Sequence, residues 1–265
     1  IENVTIASQG NAIDFGDMSV ARNTQVSSSN SVKGLNAGGA TPSQSNVIDQ
    51  FIIANGGTAT DFGDLTSQSS NKTPSSNSHG GLNDGYQGTR PIPFNEAGGD
   101  LGVYMSGANV GLGIQSVNIS STGNASVFGE LSVDSQYNGG VSSKTRGMVI
   151  GGIPVPGGGL TDRIEYIEFS TKGNAADFGN LDTTTETGFG NAANNTRGLS
   201  MGRYSPGSGF GNEIKYVTMA TTGNVADFGD LTVARGSSAC GSSNTRAICA
   251  AGSSPGENNV IDYVT

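Results

Sequence analysis

The residues with the clearest chemical potential are acidic side chains that recur with the same neighbours along the chain. Each lies directly before or after a Phe-Gly pair, and the set comprises Asp14, Asp17, Asp61, Asp64, Glu130, Asp177, Asp227 and Asp230. Carboxylates can bind a metal ion or catalyse glycoside hydrolysis. Glycoside hydrolysis requires two carboxyl groups about 5–10 Å apart. Because these acids recur once per repeat, we predict that they are spread around the molecule and bond backbone amides of adjoining turns.

Other candidates for catalysis are isolated. His79 is the only histidine, so a histidine metal cluster is excluded. A Ser-His-Asp arrangement would lack the Gly-x-Ser-x-Gly elbow, and the glycine-rich segments 157–159 and 207–211 lack the Lys-Ser/Thr ending of a phosphate-binding loop. We therefore predict that the chain is not an enzyme, has no catalytic residue, and binds no metal and no cofactor.

Composition narrows the classes of partner and of fold. The formal net charge of -9, with a pI near 4.5, argues against nucleic acid as a partner. No apolar run reaches 18 residues, so direct membrane insertion is not predicted. The chain has 43 glycines, no tryptophan and only 13% charged residues, and no long segment keeps apolar residues at helical spacing. An all-β chain is predicted.

The Phe-Gly pairs and their flanking acids belong to a long sequence repeat. The Phe of the Phe-Gly pair recurs at spacings of 47, 66, 50 and 50 residues, at Phe15, Phe62, Phe128, Phe178 and Phe228. A second element, roughly Ile-x-Tyr-Ile-x-Phe, precedes each Phe by 14 residues and begins at Ile1, Ile48, Ile114, Ile164 and Ile214, with a sixth copy at Ile261. Glycine-containing turns between the two elements predict that they form strands c and d of a hairpin. This period is typical of β-propeller blades.

A third element precedes the second and supplies strand b. It is a short apolar run ending in small residues, and it covers 33–39, 146–152, 197–203 and 246–252. Ser/Asn-rich turns upstream predict a further strand a, which gives four strands per repeat. The prediction is a five-bladed β-propeller formed by residues 1–265 as a single domain, with repeats of about 47–66 residues. A β-solenoid, or part of a longer propeller array, remains an alternative.

At these residues the chain resembles the kelch repeat. The resemblance rests on a strand ending in a Gly pair (Gly38-Gly39, Gly151-Gly152), a strand bearing Tyr166, Tyr216 or Tyr263, and a strand bearing Phe where kelch repeats carry Trp. The run Thr-Gly-Asn-x-x-Asp-Phe-Gly-Asp-Leu is also similar to repeats in structural proteins of marine bacteriophages. The first resemblance implies a kelch-like propeller, and the second implies a virion-associated or extracellular structural protein.

The chain ends leave two arrangements open. It begins within a repeat, so residues 1–20 can supply strands c and d of the fifth blade, with residues 237–251 supplying strands a and b. Residues 260–265 are then a surplus copy of strand c. This copy either replaces residues 1–6 in the ring or leads into a further part of a longer protein.

Binding is predicted at the loops that vary between repeats. The b–c loops and the d–a connections lie on one face of a propeller, and loops on a rigid scaffold commonly carry recognition. Repeat two has an insertion at about 67–100, which we place in the d–a connection of this face. The predicted binding residues are His79, Asn83, Asp84, Tyr86, Arg90, Asn95, Glu96 and Tyr204. An insertion that is only a tolerated surface excursion is the alternative.

The function predicted from these features is that of a non-catalytic binding or structural module. It would serve attachment or assembly on a virion or a cell surface, with other protein subunits or a cell-surface receptor as partners. The alternatives are a secreted carbohydrate-binding lectin and, third, a hydrolase on a propeller scaffold. Cys240 and Cys249 flank a predicted turn, where they form either a disulfide or two buried free thiols.

Overall fold

The chain folds as a five-bladed β-propeller. The computed structural model describes residues 1–78, 99–108, 111–183 and 190–265, and within these ranges it contains strands and turns without helix. The fold class predicted from the sequence is confirmed. Strands of each four-stranded blade are hydrogen-bonded in the order a-b-c-d, with strand a beside the central channel and strand d outermost.

Blades 1 to 4 have four strands each. Blade 1 consists of Val26–Ser29, Lys33–Ala37, Val47–Ile52 and Thr60–Asp64, and blade 2 of Thr73–Ser76, Leu101–Met105, Gly113–Asn118 and Ser126–Glu130. Blade 3 consists of Gly139–Ser142, Arg146–Ile150, Arg163–Glu168 and Ala176–Asn180, and blade 4 of Gly190–Ala193, Arg197–Ser205, Gly209–Thr218 and Ala226–Asp230. Three two-stranded ribbons decorate the loops: Ala40–Thr41 with Ser43–Gln44, Ser135–Gln136 with Ile153–Pro154, and Ser253–Ser254 with Gly256–Glu257.

Blade 5 has three strands from the C-terminal part of the chain, Ala239–Ser242 (a), Ala247–Ala250 (b) and Ile261–Val264 (c). The N-terminal copies of strands c and d form a separate hairpin, in which Glu2–Asn3 pairs with Ile13–Asp14. The C-terminal copy of strand c therefore takes the place in the sheet that residues 1–6 could also have filled.

The alternating pattern of strand c explains why the blades stack. In blade 3, Ile164 and Tyr166 pack in the cluster shared with blade 4, whereas Ile167 and Phe169 pack in the cluster shared with blade 2. Successive side chains of a strand point to opposite faces, so one strand contributes to the cores on both sides of its blade. Similar clusters lie between blades 1 and 2 and between blades 4 and 5.

The loop between strands c and d joins each of blades 1 to 4 to the strand d that precedes it. The glycine N–H of the loop donates to the carbonyl of the preceding repeat's Phe, in the pairs Gly57–Phe15 (2.7 Å), Gly123–Phe62 (3.0 Å), Gly173–Phe128 (3.1 Å) and Gly223–Phe178 (2.8 Å). The asparagine that follows the glycine accepts an N–H from the preceding strand d, as in Asp64–Asn124, Glu130–Asn174 and Asn180–Asn224. The Gly-Asn pair, predicted to close its own hairpin, thus also fastens neighbouring blades.

A second repeating contact joins the connection after each strand d to strand c of the next blade. Its five members are Ser19–Asp49, Thr66–Gln115, Ser132–Glu165, Asp182–Lys215 and Thr232–Asp262. The strand c residue is a different polar type in different blades, yet the position always bonds across the junction. The contact is therefore a property of the propeller repeat.

Replacing Gly129 by Ala tests this interlocking. A Cβ on Gly129 would overlap the Gly173 carbonyl oxygen of the next blade, so we expect a loss of about 1–3 kcal/mol in the free energy of unfolding. Urea denaturation measures it. Gly241→Ala is the matched control, because Gly241 also lies in a strand but has open space at its Cβ. Equal losses in the two variants would contradict the close approach.

Candidate binding face

The strand order divides the loops between two faces. The a–b turns and c–d loops lie on one face, and the b–c loops and d–a connections lie on the other, because neighbouring strands are antiparallel. We call the second the variable face. Among the described residues it carries large exposed apolar side chains from different parts of the ring, namely Val20, Leu112, Tyr137, Val155 and Tyr204, whereas Val32 and Ile53 are exposed on the opposite face.

The most prominent feature of the variable face is the b–c hairpin of blade 4. Strands b and c are longer here than in the other blades, and a bulge between Met201 and Arg203 interrupts their register. Beyond the bulge, Tyr204 pairs with Phe210 across the strands, and their ring centroids lie 5.2 Å apart. Tyr204, the described member of the predicted binding set, is thus part of an aromatic pair.

An ion pair supports the base of this hairpin. The Arg203 guanidinium contacts Glu213 through Nη2 at 3.0 Å and Nε at 3.2 Å. Partial burial alone would raise the pKa of Glu213, but the hydrogen bond and charge of Arg203 outweigh burial and hold this pKa below its usual value. The carboxylate is therefore ionised at neutral pH, next to the aromatic pair.

The insertion of repeat two lies in a different connection from the one predicted. Eight residues separate strand d from the next strand a in blades 1, 2 and 4, so the d–a connection before blade 2 has the ordinary length. The additional residues follow strand a, because Thr73–Ser76 pairs with Leu101–Met105. The Asn77 N–H donates to the Leu101 carbonyl at 3.1 Å. The placement in the d–a connection was wrong, and the insertion emerges on the face opposite Tyr204.

The predicted binding residues His79, Asn83, Asp84, Tyr86, Arg90, Asn95 and Glu96 lie outside the described residues. The chain enters and leaves their segment at the a–b end of blade 2. Of the predicted binding set, only Tyr204 belongs to a connection of the variable face. Tyr204 therefore lies on the variable face, whereas the chain enters and leaves the segment that holds the other predicted binding residues on the opposite face.

The repeated acids lie on the outer rim of the propeller. Asp61, Asp177 and Asp227 are exposed on the outermost strands of blades 1, 3 and 4, and Asp14 is exposed in the N-terminal hairpin. The backbone amides at the ends of these strands are bonded by the asparagines of neighbouring c–d loops. Among the described residues, no group of three or more His, Cys, Asp or Glu side chains is arranged to hold a metal ion.

The central channel is lined by strand a of all five blades. It encloses a cavity of about 400 Å³ with serine hydroxyls, small residues and Ile6 in its wall. Several hydroxyls join adjacent blades: Ser76 donates to the Ser29 carbonyl at 3.0 Å, and Ser242 donates to the Ala193 carbonyl at 2.6 Å. These serines therefore supply hydrogen-bond donors to backbone carbonyls at the inner edges of the blades.

Two buried arginines, which end the similar runs Met-Ser-Val-Ala-Arg22 and Leu-Thr-Val-Ala-Arg235, have a structural role that was not predicted from the sequence. Arg22 pairs with Asp49 and Arg235 pairs with Asp262, and both guanidinium groups are almost completely buried. Each pair joins a d–a connection to strand c of the following blade. The two arginines occupy the same place in their repeats, four residues after Met18 and Leu231, and this shared spacing was the available signal.

Cys240 and Cys249 lie directly opposite each other on strands a and b of blade 5. Both are free thiols, with Cys249 buried and Cys240 partly exposed. Cys240 lines the central channel. The turn between the two strands is centred on Asn244 and Thr245. This register places the two thiols where a cross-strand bond can form.

The fold thus defines a five-bladed propeller with a variable face. The chain matches no protein-family model and no curated protein. No helix among the described ranges is long and apolar enough to cross a membrane.

Proposed function

We propose that this propeller is a non-catalytic binding and structural module that mediates attachment or assembly through its variable face. The observation that carries the proposal is the distribution of exposed apolar side chains. Val20, Leu112, Tyr137, Val155 and Tyr204 come from connections around the ring. This face carries more of these side chains than the opposite face does, and two of them, Tyr137 and Tyr204, belong to the aromatic type that is enriched at protein-binding surfaces.

The interlocked blades support this proposal because they hold the loops on a rigid base. The c–d loops of blades 1 to 4 bond the preceding strand d, and each d–a connection bonds the following blade. Pre-organised loops lose little conformational entropy on binding. The kelch-like repeat and the resemblance to marine bacteriophage structural proteins favour a virion or a cell surface as the location, with another protein subunit or a surface receptor as partner.

Carbohydrate binding is the second candidate, and the blade 4 hairpin favours it. The Tyr204–Phe210 pair provides aromatic surface, and the adjacent Arg203–Glu213 pair provides charged hydrogen-bonding groups. An apolar surface with a few polar groups is the usual composition of a small-molecule site. A lectin would use this one hairpin, whereas a protein partner would contact several loops.

Adhesion of protein-coated beads to a panel of intact bacterial and eukaryotic cells tests the proposal. We expect Tyr137→Ser/Tyr204→Ser to reduce adhesion at least tenfold, because two exposed aromatic side chains of the variable face are removed. Val32→Ser/Ile53→Ser is the matched control on the opposite face and should leave adhesion unchanged. Circular dichroism verifies that both variants fold.

Two further assays separate the alternatives. The first is a glycan array. If the protein binds a glycan and the single variant Tyr204→Ser abolishes that binding, a lectin is favoured over a protein-binding module. Turnover in a panel of hydrolase substrates would contradict the non-catalytic proposal. Adhesion lost equally in the control variant would show that the binding face has been misplaced.

A further inference from the structure

Blade 5 lacks a strand that every other blade has. Its strand c, Ile261–Val264, pairs with strand b on one edge, and none of the strands in the described part of the chain pairs with the other edge. The consequence is visible at Ile261, which is 42% exposed, whereas the corresponding Ile164 and Ile214 are 0% and 1% exposed. Blade 5 therefore presents an open sheet edge with an apolar residue in it.

The C-terminal strand nevertheless occupies the true strand c position of the ring. Asp262 accepts a hydrogen bond from the Thr232 hydroxyl at 2.7 Å, which is the contact found at every other junction. Arg246 stacks on Tyr263 at 4.5 Å, as Arg146 stacks on Tyr166 at 4.6 Å in blade 3. The N-terminal copy has Asn3 at the Tyr position, and an amide cannot form this aromatic contact.

The N-terminal segment already makes the contacts of a strand d with blade 1. The Phe15 carbonyl accepts the Gly57 N–H at 2.7 Å, and the Asp17 carbonyl accepts the Ala59 N–H at 2.7 Å. Phe15 packs on Phe51 with ring centroids 5.8 Å apart. Residues 13–17 thus stand at the junction of blade 1 with the blade before it, which in a ring of five is blade 5.

Two features of the repeat remain incomplete in blade 5. In blades 3 and 4 the strand c tyrosine meets the strand d phenylalanine, at 5.8 Å for Tyr166–Phe178 and 6.1 Å for Tyr216–Phe228. Tyr263 is half exposed instead. A Cβ on Gly179 would overlap a carbonyl of the next c–d loop, whereas Gly229 of blade 4 has open space there.

From these matched gaps we infer that blade 5 carries a strand-acceptor site for the chain's own residues Gly10–Asp17. In this arrangement the segment pairs with Ile261–Val264 and leaves Glu2–Asn3. The other blades define its register: Ile164 faces Gly179 and Glu165 faces Asp177, so Ile261 faces Gly16 and Asp262 faces Asp14. Gly10 then approaches the Phe228 carbonyl, and the junction between blades 4 and 5 is completed.

The same segment fits both neighbours because each uses a different side of it. The hydrogen-bonding edge of Ile13–Asp14 is taken by Glu2–Asn3, while its contacts with blade 1 come from Phe15 and Asp17. A gap of about 370 Å³ separates the N-terminal segment from Ile261 and Tyr263. Exchange of the pairing strand closes this gap and covers apolar surface, which favours the exchange.

Nuclear magnetic resonance of the wild-type protein tests the inference. In the N-terminal hairpin the Ile1 carbonyl accepts the N–H groups of both Phe15 and Gly16. The next pair along the strands is therefore of the non-hydrogen-bonded type, with Cα atoms about 4.5 Å apart. In the proposed register this pair is Asp14 and Asp262. We expect an Hα–Hα cross-peak between Asp14 and Asp262 within one chain. A cross-peak between Asp14 and Glu2 in its place would overturn the proposal.

A mixed-label sample distinguishes the chain's own strand from one donated by a second copy. An Asp14–Asp262 cross-peak between differently labelled chains would also overturn the proposal. Truncation provides an independent measurement: removal of residues 1–6 should leave Tm nearly unchanged, whereas removal of residues 261–265 should lower it by several degrees. The reverse order would show that the N-terminal copy is the strand c of the ring.

Discussion

Replacing Asp49 by Asn is expected to lower the free energy of unfolding by about 3–5 kcal/mol, because it leaves the Arg22 charge buried without a counter-ion. The Arg22 and Asp49 side chains are 2% and 0% exposed. Arg22 also donates to the Val47 carbonyl at 3.2 Å, so its guanidinium cannot turn towards water without breaking a second contact. Chemical denaturation monitored by circular dichroism gives the change.

Two further variants show where this loss comes from. Glu168→Gln is the matched control, since its partner Arg146 lies 2.7 Å away in a more exposed pair and exposed pairs contribute about 0–1 kcal/mol. The double variant Arg22→Met/Asp49→Leu should recover most of the stability, because it removes both buried charges. If Asp49→Asn cost no more than Glu168→Gln, the buried pair would not hold the junction of blade 1.

Oxidation of Cys240 and Cys249 to a disulfide is expected to raise the free energy of unfolding by about 2–3 kcal/mol, the chain-entropy value for a loop of about ten residues. The Ser243 N–H donates to the Arg246 carbonyl at 2.8 Å. Because hydrogen-bonded and non-hydrogen-bonded pairs alternate, the opposed cysteines form a non-hydrogen-bonded pair. Their Cα atoms are then about 4.5 Å apart, within disulfide range.

The chemistry of the two thiols favours this bond. Their mutual hydrogen bond lowers the pKa of Cys249 and raises the pKa of Cys240, so Cys249 is the sulfur that ionises and acts as the nucleophile. Mass spectrometry after treatment with diamide should show the loss of two hydrogens and no alkylatable thiol. Cys240→Ser should show no stabilisation under the same treatment. Recovery of both thiols from the oxidised wild-type protein would contradict the pairing.

The wrong placement of the insertion shows that a strand without apolar alternation is not recognised from its own sequence. Strands b, c and d were predictable because their alternating apolar residues are visible in any single repeat. Strand a of blade 2 reads Thr73-Pro74-Ser75-Ser76, which has no apolar alternation. The strand forms because its side chains fit between the inner edges of blades 1 and 3, as Ser76 does when its hydroxyl bonds the Ser29 carbonyl and its N–H bonds the Ser142 hydroxyl. No neighbouring residue in the sequence announces that position.

The buried ion pairs were hidden for a similar reason. Arg22 and Asp49 are 27 residues apart, and each is an ordinary polar residue in its own turn or strand. Their pairing depends on the angle between consecutive blades, which is a property of the closed stack. The Gly-Asn pair was recognised as a turn signal, but its bonds to the preceding blade also required the stacked structure.

The sequence by itself determined that the chain is a repeat of β-strands with the period of a propeller blade, because the constant distance from strand c to strand d is a local property. It favoured a propeller over a β-solenoid, and the structure decided between them. The sequence did not determine which copy of strand c belongs to the ring. Residues 1–6 and residues 260–265 share the apolar positions of strand c, with Ile1 and Val4 corresponding to Ile261 and Val264. Only the tertiary structure decided between them, because Asp262 and Tyr263 contact Thr232 and Arg246, and those contacts form only when strand c pairs with strand b of blade 5 beside blade 4.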